Sequence, residues 1–273
     1  MRRRTARLPH PRIAGRCESP SPGPSSAIPS NPETTGDGVR GNYRKALHDR
    51  VLDHQQRADG SDAISRTDIA GDLLALIGHL GGPAIIIGNS ISGGAATIAA
   101  AQGPESVSAI IELNPFTRTQ GFDTGAFLTI PRYRKGLLRL GTTQLFKSLP
   151  QWLRYLDVAY PIKPADYDRY MTALAQKLRE PGRFAEFMKT GKTTPADAEA
   201  QLPHITCPAL VIMGTADPDF PHPAAEGEAI ATLMPPGLGD VASVEGGGHH
   251  IQADSPDRVA ELTLKFLSDI GYR

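Results

Sequence analysis

The chain is poor in cysteine: Cys17 and Cys207 are the whole supply in 273 residues. Cys17 lies in a polar tail and Cys207 opens an apolar run, so no structural disulfide is expected. A reducing, cytoplasmic setting fits that usage. Charge of either sign is also lacking in excess, since 29 Lys and Arg balance 29 Asp and Glu. A nucleic-acid or acidic-membrane footprint needs a basic surplus, so neither partner is expected. No apolar run approaches the roughly 18 residues of a membrane-spanning helix. The N-terminal "MRRRTARLPHPR" is basic, but no apolar segment follows it. That excludes an ordinary secretory leader and a twin-arginine export signal, and leaves only a weak fit to an organelle transit peptide. The expected partner is a small molecule. Oligomeric state is not readable.

Residues 1–56 lack apolar periodicity as well. "CESPSPGPSSAIPSNPETTGDG" is rich in Pro, Ser and Gly and offers little to bury, so the segment is expected to be disordered or loosely attached. One short helix is conceivable in "NYRKALHDRVLDHQQ", on Leu47, Val51 and Leu52.

From Arg57 the texture changes. Ser65 and Asp68 are spaced as a capping box, and Ile69, Leu73, Leu76, Ile77 and Leu80 recur at helical intervals, which predicts a helix over 67–80. Gly81-Gly82-Pro83 ends it. "AIIIG" (84–88), "VSAIIELNPF" (107–116) and "PALVIMG" (208–214) are short apolar runs of the kind found in parallel strands buried on both faces. "VASVEGGG" (241–248) is a weaker fourth strand. A last helix is predicted over 256–270, with Ser255 as N-cap, Pro256 in the first turn, and Val259, Leu262, Phe266 and Ile270 on one face. Strands alternating with helices predict an α/β class with a mainly parallel sheet and helices on both faces. The stretch 117–203 breaks the alternation. It is helix-rich, carries Trp152, Tyr155, Tyr160, Tyr167, Tyr170, Phe184 and Phe187, and reads as an insertion between two strands.

Ligands of an open parallel sheet bind at the carboxyl ends of its strands. Ser90 follows "AIIIGN", Asp217 follows "LVIMGTA" and His249 follows "VASVEGGG". A serine hydroxyl attacks a carbonyl only when an imidazole takes its proton and an acid orients the imidazole. Ser, Asp, His, in that order and each past a strand, is one known solution. Through "GNSISGG", "MGTADPDFPHP", "GGGHHIQADSPDRV" and the helix "DIAGDLLALIGHLGG", the sequence resembles the α/β-hydrolase superfamily over roughly 57–273. The resemblance implies a core of 57–116 and 204–273 with a helical cap at 117–203. It also implies a serine hydrolase that cleaves a small ester or related acyl compound. Ser90 would be the nucleophile, His249 the base, Asp217 the orienting acid, and the Ile91 backbone N–H one oxyanion donor. No cofactor or metal is implied. A serine at the elbow favours acyl chemistry over the dehalogenases and epoxide hydrolases of the superfamily, which as a rule place Asp there. Acyl transfer to an acceptor other than water remains an alternative, as does an inactive fragment.

Each residue also has a plainer reading. Ser90 could simply cap the next helix. Asp219 competes with Asp217, although position favours Asp217 and leaves Asp219 to hold the loop. His250 competes with His249, which follows the glycines directly as in the family. His249 and His250 with Asp217 could suggest a metal site, but adjacent histidines point different ways and no third spaced ligand is evident. The elbow pattern G-x-S-x-G ends here in Ser92 instead of glycine, and its physical demand is for small residues where strand and helix pass closely. "TGKTT" (190–194) fails as a phosphate loop because Glu186 stands where a glycine is required.

One part of the family pattern has no visible counterpart. The first four strands, and the His-Gly loop that supplies the second oxyanion donor, belong where this chain has "PSPGPSSAIPSNPETTGDG". "ADGSD" (58–62) is similar to the tail of a loop that normally follows the fourth strand. The expectation is that the N-terminal part of the core is missing and that residues 1–56 are not the native start of this fold. A frame error, a wrong start or a degraded gene would each leave such a seam. Translating the other two frames upstream of codon 57 tests the first idea: neither frame yielding an apolar strand followed by His-Gly would refute it.

Overall fold

The computed structural model describes residues 65–272. The expectations for 1–56, including the short helix, the seam at 57 and the missing strands, fall outside the described residues.

Helix α1 (Arg66–Leu80) begins at Ser65, whose hydroxyl accepts from the Asp68 amide while the Asp68 carboxylate accepts from the Ser65 amide. This is the capping box read from the sequence. Gly81 ends the helix at φ 86°, a left-handed conformation that glycine adopts without a Cβ clash. Strand β1 (Ala84–Asn89), helix α2 (Ile91–Gln102) and strand β2 (Val107–Leu113) follow. The chain then runs through α3 (Thr124–Thr129), α4 (Pro131–Phe146), α5 (Leu149–Ala159), α6 (Tyr167–Arg179), α7 (Arg183–Lys189) and α8 (Ala196–Glu199), with two single 3-10 turns. It returns to the sheet as β3 (Ala209–Gly214), α9 (Pro223–Leu233), β4 (Gly239–Val244), α10 (Ile251–Asp254) and α11 (Pro256–Asp269). The long interval between β2 and β3 is therefore helical, as its composition predicts.

The four strands lie side by side in chain order, and every pairing is parallel. Helices cover both faces. On one, Ile86, Ile110, Val211 and Met213 pack with Ala70 and Ile77 of α1, Ala96 and Ala99 of α2 and Ile230 of α9. On the other, Ala109, Ile111, Leu210 and Ile212 pack with Ile251 of α10 and Val259 and Phe266 of α11. Each of the larger side chains contributes about 1.5–3 kcal/mol by leaving water.

Three differences from the sequence reading have physical causes. Strand β1 is not buried on both faces: Ile87 is 55% exposed. Among the described residues β1 has a single strand neighbour, and α11 packs over β3 and β4 instead. Strand β4 ends at Val244, not within the glycines, because Gly246 turns the chain at φ 72°. Ser255 stands at the N-cap of α11, but its side chain makes no capping hydrogen bond.

Candidate active site

The site forms where β1, β2, β3 and β4 end. Ser90 leaves β1 at φ 60°, ψ −123°, a combination that side chains other than glycine's rarely adopt. Its hydroxyl makes no capping bond to α2, so helix capping does not account for it. Its backbone is held from both sides: the Ser90 amide donates to the Leu113 carbonyl at 3.0 Å, and the Phe116 amide donates to the Ser90 carbonyl at 3.0 Å. The strained turn is thereby fixed to the end of β2.

The demand for small residues falls unevenly on the elbow. A Cβ on Gly88 would stand 2.3 Å from the Ser92 carbonyl oxygen, and one on Gly93 would stand 2.6 Å from the Pro115 Cβ. Ser92 has no such conflict. Its hydroxyl turns back and donates to the Asn89 carbonyl at 2.7 Å while accepting from the Asn89 amide at 3.0 Å. The serine in the family's glycine position thus satisfies two backbone groups at the break between strand and helix.

His249 is buried, and its Nδ1 lies 2.8 Å from Asp217 Oδ2. Asp217 is fully buried, and its other oxygen accepts from the Asp219 amide at 2.8 Å. Burial alone would pull the His249 imidazole down, but the charges of Asp217 and Asp219 outweigh it and raise the group to about 9. His250 goes elsewhere. Its Nδ1 faces Asn89 Oδ1 at 3.2 Å, its ring stacks on Tyr160, and burial together with the charge of His249 lowers it to about 3. No direct hydrogen bond joins Ser90 to His249; the residue before Ser90, Asn89, donates its side-chain amide to the His249 carbonyl at 3.0 Å.

Several residues that build this arrangement escaped the sequence reading. Asn114, at the end of β2 with φ 43°, donates to the carbonyls of Gly248 (2.8 Å) and His249 (3.1 Å) and accepts from the Gly214 amide (2.7 Å). It ties the ends of β2 and β3 to the histidine loop. The signal was an Asn-Pro directly after a buried strand. Arg132 on α4 donates to the carbonyls of Asp217 (2.6 Å), Phe220 (2.7 Å) and Pro221 (2.9 Å). The Ala159 carbonyl at the end of α5 accepts from the His249 amide at 2.9 Å. The inserted helices therefore hold both the acid loop and the histidine loop.

One side-chain atom each from Asp217, Asp219 and His249 lie within 4.8 Å of one another. The closest pair, His249 Nδ1 and Asp217 Oδ2, stands at hydrogen-bond length. "TGKTT" follows helix α7 and opens on a 3-10 turn, with no strand ahead of it. Cys207 is buried and free. No helix among the described residues is long and apolar enough to cross a membrane.

Comparison with known proteins agrees with this architecture. The 2-(acetamidomethylene)succinate hydrolase of Mesorhizobium japonicum is 27% identical over 210 residues, covering 74% of this chain and 69% of its own. A thermophilic esterase from Thermogutta terrifontis superposes with a TM-score of 0.53 at 19% identity, over 76% of this chain and 74% of the esterase. The 2-hydroxy-6-oxo-6-phenylhexa-2,4-dienoate hydrolase of a Rhodococcus species superposes with a TM-score of 0.59 at 13% identity, over 74% and 70%. Residues 34–262 match the alpha/beta hydrolase family as a whole, a span that begins within the segment the sequence reading set apart. A parallel sheet with helices on both faces, strand ends that gather Ser90, Asp217 and His249, and a family match over most of the chain lead to one conclusion: this protein is a hydrolase enzyme of the alpha/beta hydrolase family.

Proposed function

We propose that the chain is a serine hydrolase that cleaves a small ester or related acyl compound through an acyl-enzyme. The observation that carries this reading is a buried His249 bonded to Asp217 at 2.8 Å, with its carbonyl held by Asn89, the residue before the strained Ser90. Ser90 Oγ attacks the carbonyl carbon and His249 Nε2 takes its proton. Asp217 holds Nδ1–H, which fixes the tautomer and stabilises the imidazolium. The Ile91 backbone N–H, first in α2, donates to the developing oxyanion. The tetrahedral intermediate collapses, the leaving alcohol takes the proton from Nε2, and water repeats the sequence to release the acid.

Phe116 supports an apolar substrate group. Its ring stacks on Phe220 at 5.2 Å and leans on His249 at 5.6 Å, so an apolar wall stands beside the base. The inserted helices then act as a cap over this wall. The relative from Mesorhizobium is named for an acetamido compound. Amides and esters pass through the same acyl-enzyme, so short N-acetyl substrates belong in the first panel beside p-nitrophenyl esters. Hydrolysis of such an ester by the full chain, lost roughly 10⁴-fold or more on Ser90→Ala, is the expected result. Equal turnover by Ser90→Ala would refute the reading. Product analysis with added alcohol or amine separates hydrolysis from transfer to another acceptor.

A further inference from the structure

Two acids, not one, stand beside the histidine. Asp219 Oδ2 lies 3.4 Å from the same His249 Nδ1 that Asp217 Oδ2 meets at 2.8 Å. Asp219 Oδ2 also accepts from the Tyr155 hydroxyl at 2.6 Å, and Tyr155 belongs to helix α5 of the insertion. Tyr155, Asp219, Asp217 and His249 are all buried. A carboxyl that only shaped its loop would have both oxygens bonded to loop amides. Asp219 instead spends one oxygen on a distant helix and the imidazole, and its other oxygen has no hydrogen-bond partner among the described residues.

We infer that Asp219 is a second acid for His249, and that Tyr155 holds its carboxyl in place from the inserted helices. The inference deepens the serine hydrolase reading and rests on it. Asp217 is the nearer group and holds the tautomer. Asp219 is a positioning residue, which touches no reacting atom and acts through the imidazole. As an anion close by in a dry site, it favours the imidazolium and so makes His249 a stronger base. Protonated, it withdraws that support. Burial lifts Asp219 to about 6, against the pull of His249, with Asp217 adding to the rise. The Tyr155 hydrogen bond favours the ionised form. The other groups that feel this cluster are Tyr133 on α4, through Asp219, Arg132 on the same helix and Asp254 on α10, through Asp217, and His250, through His249. None of these bonds to the Asp219 carboxyl, which leaves Tyr155 as its hydroxyl donor.

The test follows the His249 imidazole directly, by NMR titration of the full chain from pH 5 to 10, alongside kcat/KM for p-nitrophenyl acetate over the same range. In Asp219→Asn the imidazole titration is expected to fall by about one pH unit or more. The acid limb of kcat/KM should fall with it. Tyr155→Phe should move both in the same direction by less, and Asp219→Glu should restore part of the shift. Should Asp219→Asn fail to fold, Tyr155→Phe carries the test alone. An unmoved His249 titration in a folded variant overturns the inference, as does a lowered plateau with an unmoved limb, the mark of a purely structural role. A wild-type chain without esterase activity whose imidazole still shifts on Asp219→Asn would refute the hydrolase reading and leave the second acid standing.

Discussion

Arg132 Nη1 donates to the backbone carbonyl of Asp217 at 2.6 Å. The donor sits at the start of α4, early in the insertion, and the acceptor belongs to the residue that orients the proposed base. With the further bonds to Phe220 and Pro221, one guanidinium gathers three carbonyls of the acid loop. A planar fork with several fixed donors suits that task, and a lysine ammonium does not. Arg132→Met is expected to lower stability by about 2–4 kcal/mol, since hydrogen bonds to a charged group are worth about 1.5–3 kcal/mol each and do not add fully. Urea unfolding measures this. Arg132→Lys should recover less than half of the loss, and full recovery would show that charge alone matters.

Glycine is required at one elbow position and dispensable at another. Gly88→Ala places a Cβ 2.3 Å from the Ser92 carbonyl oxygen and 2.7 Å from the Gly93 amide nitrogen. Both are backbone atoms, so the turn itself must move. The expected cost is about 3 kcal/mol, with loss of turnover because Ser90 moves too. Ser92→Gly removes only the hydroxyl bridge to Asn89 and is expected to cost about 1 kcal/mol, with activity within roughly tenfold of the parent. Thermal melts and ester assays on the two variants check the contrast.

Glu112 gives a pH dependence of stability separate from the site. It is fully buried on β2, accepts from Thr97 on α2, and lies near the Thr117 hydroxyl at 3.4 Å. Burial raises its carboxyl from 4.5 to about 7, while the two threonine hydrogen bonds oppose the rise. The folded chain therefore holds this proton more tightly than the unfolded chain. Stability from it is complete below about 4.5 and is lost as pH rises to about 7, by a total of order 3 kcal/mol. Asp219 acts in the same sense over a lower window, from 3.8 to about 6. Glu112→Gln should flatten the wild-type decline between pH 5 and 7, read as the difference between urea midpoints. Parallel curves for the two proteins would contradict the assignment.

Much of this was legible in the residues. The apolar runs at 84–88, 107–116 and 208–214 lie on β1, β2 and β3, because a strand buried in a parallel sheet has no polar face to disguise it. The capping box of α1 was visible because its partners are three residues apart. Long-range contacts were not. The bonds from Arg132 to the acid loop and from Tyr155 to Asp219 join residues 85 and 64 positions apart, and nothing local marks either partner. Asn114 carried a faint signal, but its three bonds depend on strands that meet only in the folded sheet. The exposure of Ile87 was hidden for the same reason, since burial on both faces requires neighbours that a single strand does not encode.

The central claim is that Ser90 is an activated nucleophile. The most direct measurement is labelling of the full chain with a fluorophosphonate probe, followed by mass spectrometry of the peptide that carries "GNSISGG". The account predicts a single adduct on Ser90, lost in Ser90→Ala and slowed strongly in His249→Ala. A folded chain that leaves Ser90 unlabelled, or that labels equally well without His249, would contradict it.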